Sequence, residues 1–446
     1  MRFSFSAALL TAFVVPTTPV LAFQATTTTT TTRQSFQSTP STKSSRSVTA
    51  SDVLYFVNDK STPVSAIVQD ADRAFQQGMR MEKSGQARKA SAAFHEAATL
   101  YQCFLGSSEE FGYVTVVSQE DVPALLAYAC VRLAHLSHDA LGDARAAARL
   151  YQDSCQIDIN PSAVSYDGLG VSIEAAGGSF KEATIAYRKA VKLAPNNRLF
   201  TFHLAVVLER LGEKEESEQL MDQLRKSAAH IACLVDSWGY IRWHTRKVRR
   251  ANLHRGTRDM IQLALDHAVP LIEKGGMVCE FGVGSGRSLR MTQELLPLNI
   301  PIHGFDTFTG LPQGWGSEPA GAYSTGGAVP DLTEGDIHFH KGLFSDTIPE
   351  FLKHVPKNQF LAYANVDCDL YSSTLDILEN LHGRIVPGTM FLFDEYLCHA
   401  TWRQDEFRAW RECCRRFGWQ YEYIGFSLVT KQTVVRVTEV ATKEIA

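Results

Sequence analysis

The chain has 446 residues, room for two or three domains at roughly 100–200 residues each. Apolar residues make up 45% and charged residues 21%, and 44 Lys and Arg stand against 48 Asp and Glu (net charge −4), which provides real cores but not the basic excess of a dedicated nucleic-acid binder. No stretch approaches the ~18 consecutive apolar residues of a spanning helix, and nine cysteines without a CxxC spacing support no zinc ribbon, thioredoxin-like pair or disulfide framework.

Residues 1–51 contain no Asp or Glu. Arg2 precedes an apolar run from Phe3 to Val15, and Val20-Leu21-Ala22 places small residues at the cleavage-reading positions, the layout of a secretory signal peptide. A Thr- and Ser-rich stretch carrying Arg33, Lys43 and Arg46 follows, acid-poor in the manner of a transit peptide. Signal followed by transit, with Phe23 just after the expected cut, resembles the bipartite plastid presequences of algae with complex plastids. That implies delivery to a plastid; secretion, with a disordered linker, is the alternative.

Residues 52–230 read as helical repeats. From Ala71 to Lys226 apolar residues fall at helical spacing. A frame of Gly85, Ala90, Phe94 and Ala97 recurs as Gly142, Ala147, Tyr151 and Ser154, as Gly178, Ala183, Tyr187 and Ala190, and as Gly212, Ser217, Met221 and Leu224. The glycine permits a tight turn, the small residue lets paired helices approach, and the aromatic fills the space between hairpins. The last two copies are 34 residues apart, whereas an insert around Phe104–Asp121 stretches the first interval to 57. The pattern resembles tetratricopeptide repeats, which implies an all-α stack whose groove takes a protein or peptide partner; a generic antiparallel bundle is the alternative.

Residues 231–256 read as a basic connector. Arg242, Arg246, Lys247, Arg249, Arg250, Arg255 and Arg258 occur with no acid between Asp236 and Asp259. Such a run either attracts phosphate or a membrane surface or is a solvated helix face.

Residues 257–446 alternate helix and strand. Helices are expected at 257–273, 287–296, 346–354, 372–382 and 404–417, and strands at 277–281, 301–305, 337–340, 360–366, 389–393, 419–424 and 427–437. Alternating units imply a mostly parallel sheet covered on both faces, with the last two strands as an antiparallel hairpin. This α/β, Rossmann-like seven-stranded sheet resembles that of class I S-adenosylmethionine-dependent methyltransferases.

Ligands of such sheets bind beyond the carboxyl ends of the strands. The strand at 277–281 runs into Glu280-Phe281-Gly282-Val283-Gly284-Ser285-Gly286. A nicotinamide dinucleotide fingerprint needs Gly where Arg287 stands, so the loop suits a nucleoside better than a pyrophosphate. Asp306, 26 residues after Glu280, ends the next strand and is placed to accept both ribose hydroxyls. Asp367 and Asp369 follow the strand at 360–366, and Asp394 and Glu395 follow the one at 389–393. Carboxylates crowded in one cleft repel unless a cation is shared, and oxygen-only ligands favour Mg2+ or another hard divalent ion. Helix capping is the alternative, with Asp369 and Asp394 the expected caps. His338 and His340 share a strand face away from these acids and read as packing. The loop Leu311–Gly335 is long enough to be a lid; its Trp315 and Tyr323 are suited to stacking on a sugar ring. His399 and Trp402 line the acceptor pocket or belong to the core.

These segments together, with Gly304-Phe305-Asp306-Thr307-Phe308-Thr309-Gly310-Leu311-Pro312 and Asp367-Cys368-Asp369-Leu370-Tyr371-Ser372-Ser373-Thr374, resemble the macrocin O-methyltransferase family of metal-dependent sugar O-methyltransferases. The resemblance covers residues 250–438. It implies S-adenosylmethionine as cofactor, held by Glu280, Gly282, Gly284, Ser288 and Asp306, with the acid of the first strand reaching the cofactor's amino-acid end. It implies Mg2+ held by Asp367, Asp394 and Glu395, a small acceptor bearing vicinal hydroxyls, and Asp367 or Asp369 as the base. Glu395 departs from the family's second Asp, and the fused repeats put a small antibiotic substrate in doubt. Two classes of function follow: an O-methyltransferase whose repeats recruit or orient the acceptor, or a repeat scaffold with a degenerate methyltransferase domain.

Overall fold

The computed structural model describes residues 64–111, 122–158, 161–245, 251–332 and 335–441. The expected presequence, residues 1–51, lies outside the described residues, and so does the middle of the insert.

The first half is all-α. Helices α1 (Val64–Lys83), α2 (Ala87–Phe111), α3 (Val122–Asp139), α4 (Ala144–Ile157), α5 (Ala163–Ala175), α6 (Phe180–Leu193), α7 (Arg198–Leu211) and α8 (Lys214–Arg225) pack as four successive hairpins, followed by α9 (Ala229–His244). The repeat frame is buried throughout, at Ala90, Phe94, Ala147, Tyr151, Ala183, Tyr187, Ser217 and Met221. In two hairpins the aromatic of the second helix lies against a glycine of the first: a Cβ on Gly78 would sit 2.8 Å from the Phe94 ring, and one on Gly170 would sit 2.6 Å from Tyr187. Asp143, Ser162 and Asn197 cap their helices through side-chain oxygens that accept backbone N–H groups. In the third copy the left-handed residue is Gly177 (φ +73°), not Gly178, so the doubled glycine moves the turn one residue earlier than the frame suggests.

The connector is not a solvated linker. Helix α9 occupies residues 229–244, and its Cys233, Leu234, Trp238 and Ile241 join the core of the sheet half. The basic residues that are described are spent internally: Arg242 pairs with Glu209 at 2.9 Å, Arg258 pairs with Glu294 at 2.7 Å, and Arg255 donates to the Asn252 carbonyl at 2.8 Å. Arg246, Lys247, Arg249 and Arg250 lie outside the described residues.

Residues 251–256 run along the face made by the first helices of three hairpins, the face expected to hold a partner. His138 of α3 donates to the His254 carbonyl at 2.7 Å. The Ala175 carbonyl at the end of α5 accepts from Asn252 at 3.0 Å, and Arg210 of α7 donates to the Ala251 carbonyl at 2.5 Å. His138, Glu174 and Arg210 recur at 36-residue intervals. Glu174 and Arg210 form a buried ion pair at 2.5 Å, with Tyr187 donating to Glu174 at 3.1 Å. The segment lies so close to α3 that a Cβ on Gly256 would fall 2.2 Å from the His138 carbonyl oxygen.

The second half opens with α10 (Thr257–Ile272) and builds one seven-stranded sheet: β1 (Met277–Phe281), β2 (Ile302–Asp306), β3 (Ile337–Lys341), β4 (Leu361–Val366), β5 (Met390–Phe393), β6 (Gln420–Phe426) and β7 (Thr433–Glu439), in the order β3-β2-β1-β4-β5-β7-β6. The first five strands are parallel and β7 is antiparallel to both neighbours. Helices α11 (Arg287–Leu295), α12 (Phe344–His354), α13 (Tyr371–Leu381) and α14 (Glu406–Phe417) cross between strands. Strands β1, β4 and β5 are buried on both faces, as continuous apolar runs in covered parallel strands require. The order reverses between β1 and β4, where a doubly wound sheet opens its ligand crevice. The last strand starts at Thr433 rather than at 427. Residues 427–432 form a turn closed by Ser427 N–H on the Gln432 carbonyl at 2.9 Å, with Lys431 left-handed at φ +63°.

No disulfide forms among the described residues. Among them, no helix is long and apolar enough to cross a membrane.

Candidate active site

The glycine-rich loop joins β1 to α11 beside the switch point. At Gly282, φ is +93° and a Cβ would lie 1.6 Å from the Asp367 carbonyl oxygen, so this glycine lets the loops after β1 and β4 touch. At Gly284, φ is +51° and a Cβ would meet nothing within 4 Å, which leaves that side open for a ligand to approach the backbone. Asp306 organises the loop from β2: its Oδ2 accepts from Gly284 N–H and its Oδ1 from Phe308 N–H, both at 2.7 Å. Each oxygen keeps a lone pair for a ribose hydroxyl. The first helical turn of α11 then presents its free amides.

Glu280, expected to reach the cofactor, stands next to last in β1. It is fully buried, and its two oxygens accept from Ser288 at 2.9 Å and Asn365 at 3.2 Å. Burial pushes its carboxyl up to about 8, against the pull of those two donors. Glu280 therefore ties the loop to β4 from beneath, and Ser288 is engaged with it. Asn365, with its other side-chain atom buried and unpartnered, has no signal in the sequence beyond its place in an apolar strand.

The acids after β4 and β5 sit side by side because the ladder continues past the strand ends. Asp367 N–H donates to the Phe281 carbonyl at 2.8 Å, and Asp394 N–H to the Val366 carbonyl at 2.9 Å. Burial, then Asp394 and Asp369, hold Asp367 well above the carboxylate range. Asp369 adopts a left-handed backbone (φ +61°), a strained conformation typical of working sites. Burial, Glu395 and Asp394 push it up to about 8. Neither expected cap is one: α13 has no side-chain cap, and Asp394 accepts from Gln432 at 2.6 Å.

Glu395 turns away from a shared cation. Its oxygens lie 3.1 and 3.0 Å from Lys431 Nζ, in the turn before β7. Among the described residues, no group of three or more Asp, Glu, His or Cys side chains is arranged to hold a metal ion, the expected set of Asp367, Asp394 and Glu395 included. The chemistry of the remaining donors nevertheless suits a hard cation. Glu406, wholly buried at the start of α14, has both carboxyl oxygens outside hydrogen-bonding geometry. Burial and then Asp394 and Asp369 hold it well above its ordinary range. A surplus of buried carboxyls around two strand ends is what a divalent ion relieves. Lys431, Gln432 and Glu406 escaped the sequence reading: the first two fell inside an expected strand and the third at a helix start.

The loop at 311–332 folds over this end of the sheet. Trp315 Nε1 donates to Asp405 at 3.1 Å, its ring lies 5.3 Å from that of His399, and Gln313 reaches Ser372 at 3.2 Å. Tyr323 is half exposed. Trp402 is core, donating to Asp236 of α9 at 3.1 Å. His338 and His340 pack with His303, and His340 stacks 4.4 Å from Phe305.

Residues 328–416, from β3 to α14 with Asp367, Asp369, Asp394 and Glu395 inside, match the family model described as Macrocin-O-methyltransferase (TylF). The C-terminal domain is similar to the macrocin O-methyltransferases. One relative is the 8-demethyl-8-(2,3-dimethoxy-alpha-L-rhamnosyl)-tetracenomycin-C 4'-O-methyltransferase of Streptomyces olivaceus, 39% identical over 69 residues, 16% of this chain and 24% of that protein. Another is the demethyldecarbamoylnovobiocin O-methyltransferase of Streptomyces niveus, 33% identical over 81 residues, 18% of this chain and 29% of that protein. The chain thus spans less than a third of either relative's length. The crystal structure of a calicheamicin methyltransferase covers 50% of this chain and 93% of its own, with 21% identity and a TM-score of 0.31. The macrocin O-methyltransferase match lies wholly in the sheet half; separately, the C-terminal TPR-containing domain of a putative FK506-binding protein of Plasmodium falciparum covers 36% of this chain and 99% of its own, with 20% identity and a TM-score of 0.29.

Proposed function

We propose that the protein is an S-adenosylmethionine-dependent O-methyltransferase acting on a hydroxyl of a sugar or a similar small polyhydroxylated acceptor. The observation that carries this reading is the pairing of two half-sites across the β1/β4 switch point. On one side are the open backbone at Gly284 and the Asp306 carboxylate; on the other is the acid cluster of Asp367, Asp369 and Asp394, within the matched family segment.

The cofactor, when bound, supplies an electrophilic methyl group. Asp306 and the Gly284 backbone would orient its nucleoside, while Glu280 and Ser288 hold the loop that carries them. A divalent cation such as Mg2+ would be held by Asp367 and Asp394, joined by Glu395 on leaving Lys431, and would polarise the acceptor hydroxyl. Asp369 takes the hydroxyl proton as general base. Trp315, Tyr323 and His399 wall the acceptor side, and closing the loop excludes water. Such a transfer draws much of its rate from holding the two reactants in line. The experiment is transfer of labelled methyl from S-adenosylmethionine into a small-molecule extract with and without Mg2+; no labelled product overturns the reading in favour of a non-catalytic scaffold.

A protein partner of the repeats would dock away from the face that residues 251–256 already cover. The acid-free segment 1–51 supports delivery to a plastid, and a reporter fused to it that is secreted into the medium overturns that address.

A further inference from the structure

Helix α11 carries the amides at the end of the glycine-rich loop, and the repeat half grips it at both ends. At its first residue the Arg287 guanidinium pairs with the Asp139 carboxylate at the end of α3. Asp139 is itself fixed from behind, because its Oδ1 accepts from Thr257 N–H at 3.0 Å and Thr257 Oγ1 at 2.8 Å. The α1–α2 turn abuts the same residue: a Cβ on Gly85 would lie 3.2 Å from Arg287 Cα. In the last turn of α11, Glu294 accepts two hydrogen bonds from Arg88 of α2, at 3.2 and 3.0 Å.

These contacts are not equal. The Arg88–Glu294 pair is largely exposed, and such pairs hold little. Asp139 keeps only 11% of its side-chain exposure and Arg287 43%, so their pair is shielded on one side. Arg287 is also within electrostatic reach of two sets of acids, Asp394 and Asp367 at the strand ends and Glu82 on α1. Without Asp139, the acid the repeat half still offers the guanidinium is Glu82, which is already paired with Arg132.

We propose that the repeat domain braces the cofactor loop, with Asp139 as a positioning residue that acts through Arg287. The proposal rests on the cofactor site assigned above and gives the repeats a role within the chain. It follows that cofactor binding and the packing of α3 are linked, each strengthening the other.

The test uses the full chain and four variants: Asp139→Asn, Arg287→Gln, both together, and Arg287→Lys. Asn keeps an acceptor for Thr257, and Arg287→Gln leaves Thr257 untouched, so at least one variant retains the fold. Amide hydrogen exchange over residues 282–288, without ligand, is expected to quicken about tenfold in each single variant. The double variant should be no faster than the worse single. S-adenosylmethionine affinity by calorimetry should weaken by about the same factor, with Arg287→Lys recovering part of it. Saturating cofactor should restore turnover, so KM moves and kcat does not. Unchanged exchange at 282–288 in a variant that melts like wild type overturns the brace, as do strictly additive effects. If wild type binds no S-adenosylmethionine, the methyltransferase reading fails while the exchange data still decide the brace.

Discussion

Lys431 Nζ lies within 3.1 Å of both carboxyl oxygens of Glu395, so a side chain from the β6–β7 turn provides the positive charge that a divalent ion would bring to that acid. At the proposed metal site the ammonium and the ion would compete for one ligand. Replacing Lys431 with Gln is expected to free Glu395 and tighten Mg2+ or Mn2+ binding by roughly tenfold, because a repelling charge leaves and a ligand joins. Direct titration of the metal reads this, and equal or weaker binding rules out a metal role for Glu395.

Asp306→Ala removes an acceptor from two backbone amides as well as from the proposed ribose site. The loss in S-adenosylmethionine binding is expected at about 1.5–3 kcal/mol, the range for hydrogen bonds to charged groups. Calorimetry showing equal affinity would remove Asp306 from the site.

Asp369→Asn separates chemistry from binding. Turnover should fall by about 10²- to 10⁴-fold, the usual contribution of a positioned base, with cofactor affinity nearly intact. If the two fall together, Asp369 supports the loop and does not take the proton.

Gly282→Ala tests the meeting of the β1 and β4 loops. The new methyl would lie 1.6 Å from the Asp367 carbonyl oxygen on a backbone with φ +93°, so the loops must part. A loss of about 2–4 kcal/mol in stability is expected from strain and overpacking together. A melting temperature equal to that of wild type contradicts this geometry.

Glu280 makes stability depend on pH in a fixed direction. Burial pushes its carboxyl up to about 8 in the folded protein, whereas the unfolded chain releases that proton near 4.3. Between those values the folded state binds more protons, so stability falls as pH rises, by at most about 1.4 kcal/mol per pH unit. Melting scans from pH 5 to 8 in EDTA should show a steep decline in wild type and a shallower one in Glu280→Gln. Parallel declines would falsify the assignment.

Much of the sheet was legible because its signals are local. Apolar runs too short for helices, separated by helical stretches, mark β1, β4 and β5, and acids just beyond them mark the ligand end. The repeat frame was legible for the same reason, since Ala183, Tyr187 and their counterparts repeat within single hairpins. What escaped depends on distant partners. Lys431 and Gln432 read as strand residues, because the turn that displays them is set by Ser427 bonding back to Gln432. Arg287 served only to exclude a dinucleotide loop; its partner Asp139 closes a repeat helix with no motif. The burial of residues 251–256 had one available clue, the polar side chains His138, Glu174 and Arg210 at a regular 36-residue interval on three successive first helices. Polar groups kept at buried repeat positions require partners.

The face that closes over Ala251–His254 also sets an order of assembly. On the ribosome, helices α3 to α7 emerge well before the segment that completes them. The bond from His138 waits for a carbonyl 116 residues downstream. Local hairpins form first, and a loop of that length closes late. Until then the ion pair of Glu174 and Arg210 stands in water at an open edge. A nascent or truncated chain therefore displays an unfinished polar seam where the finished protein has a covered one.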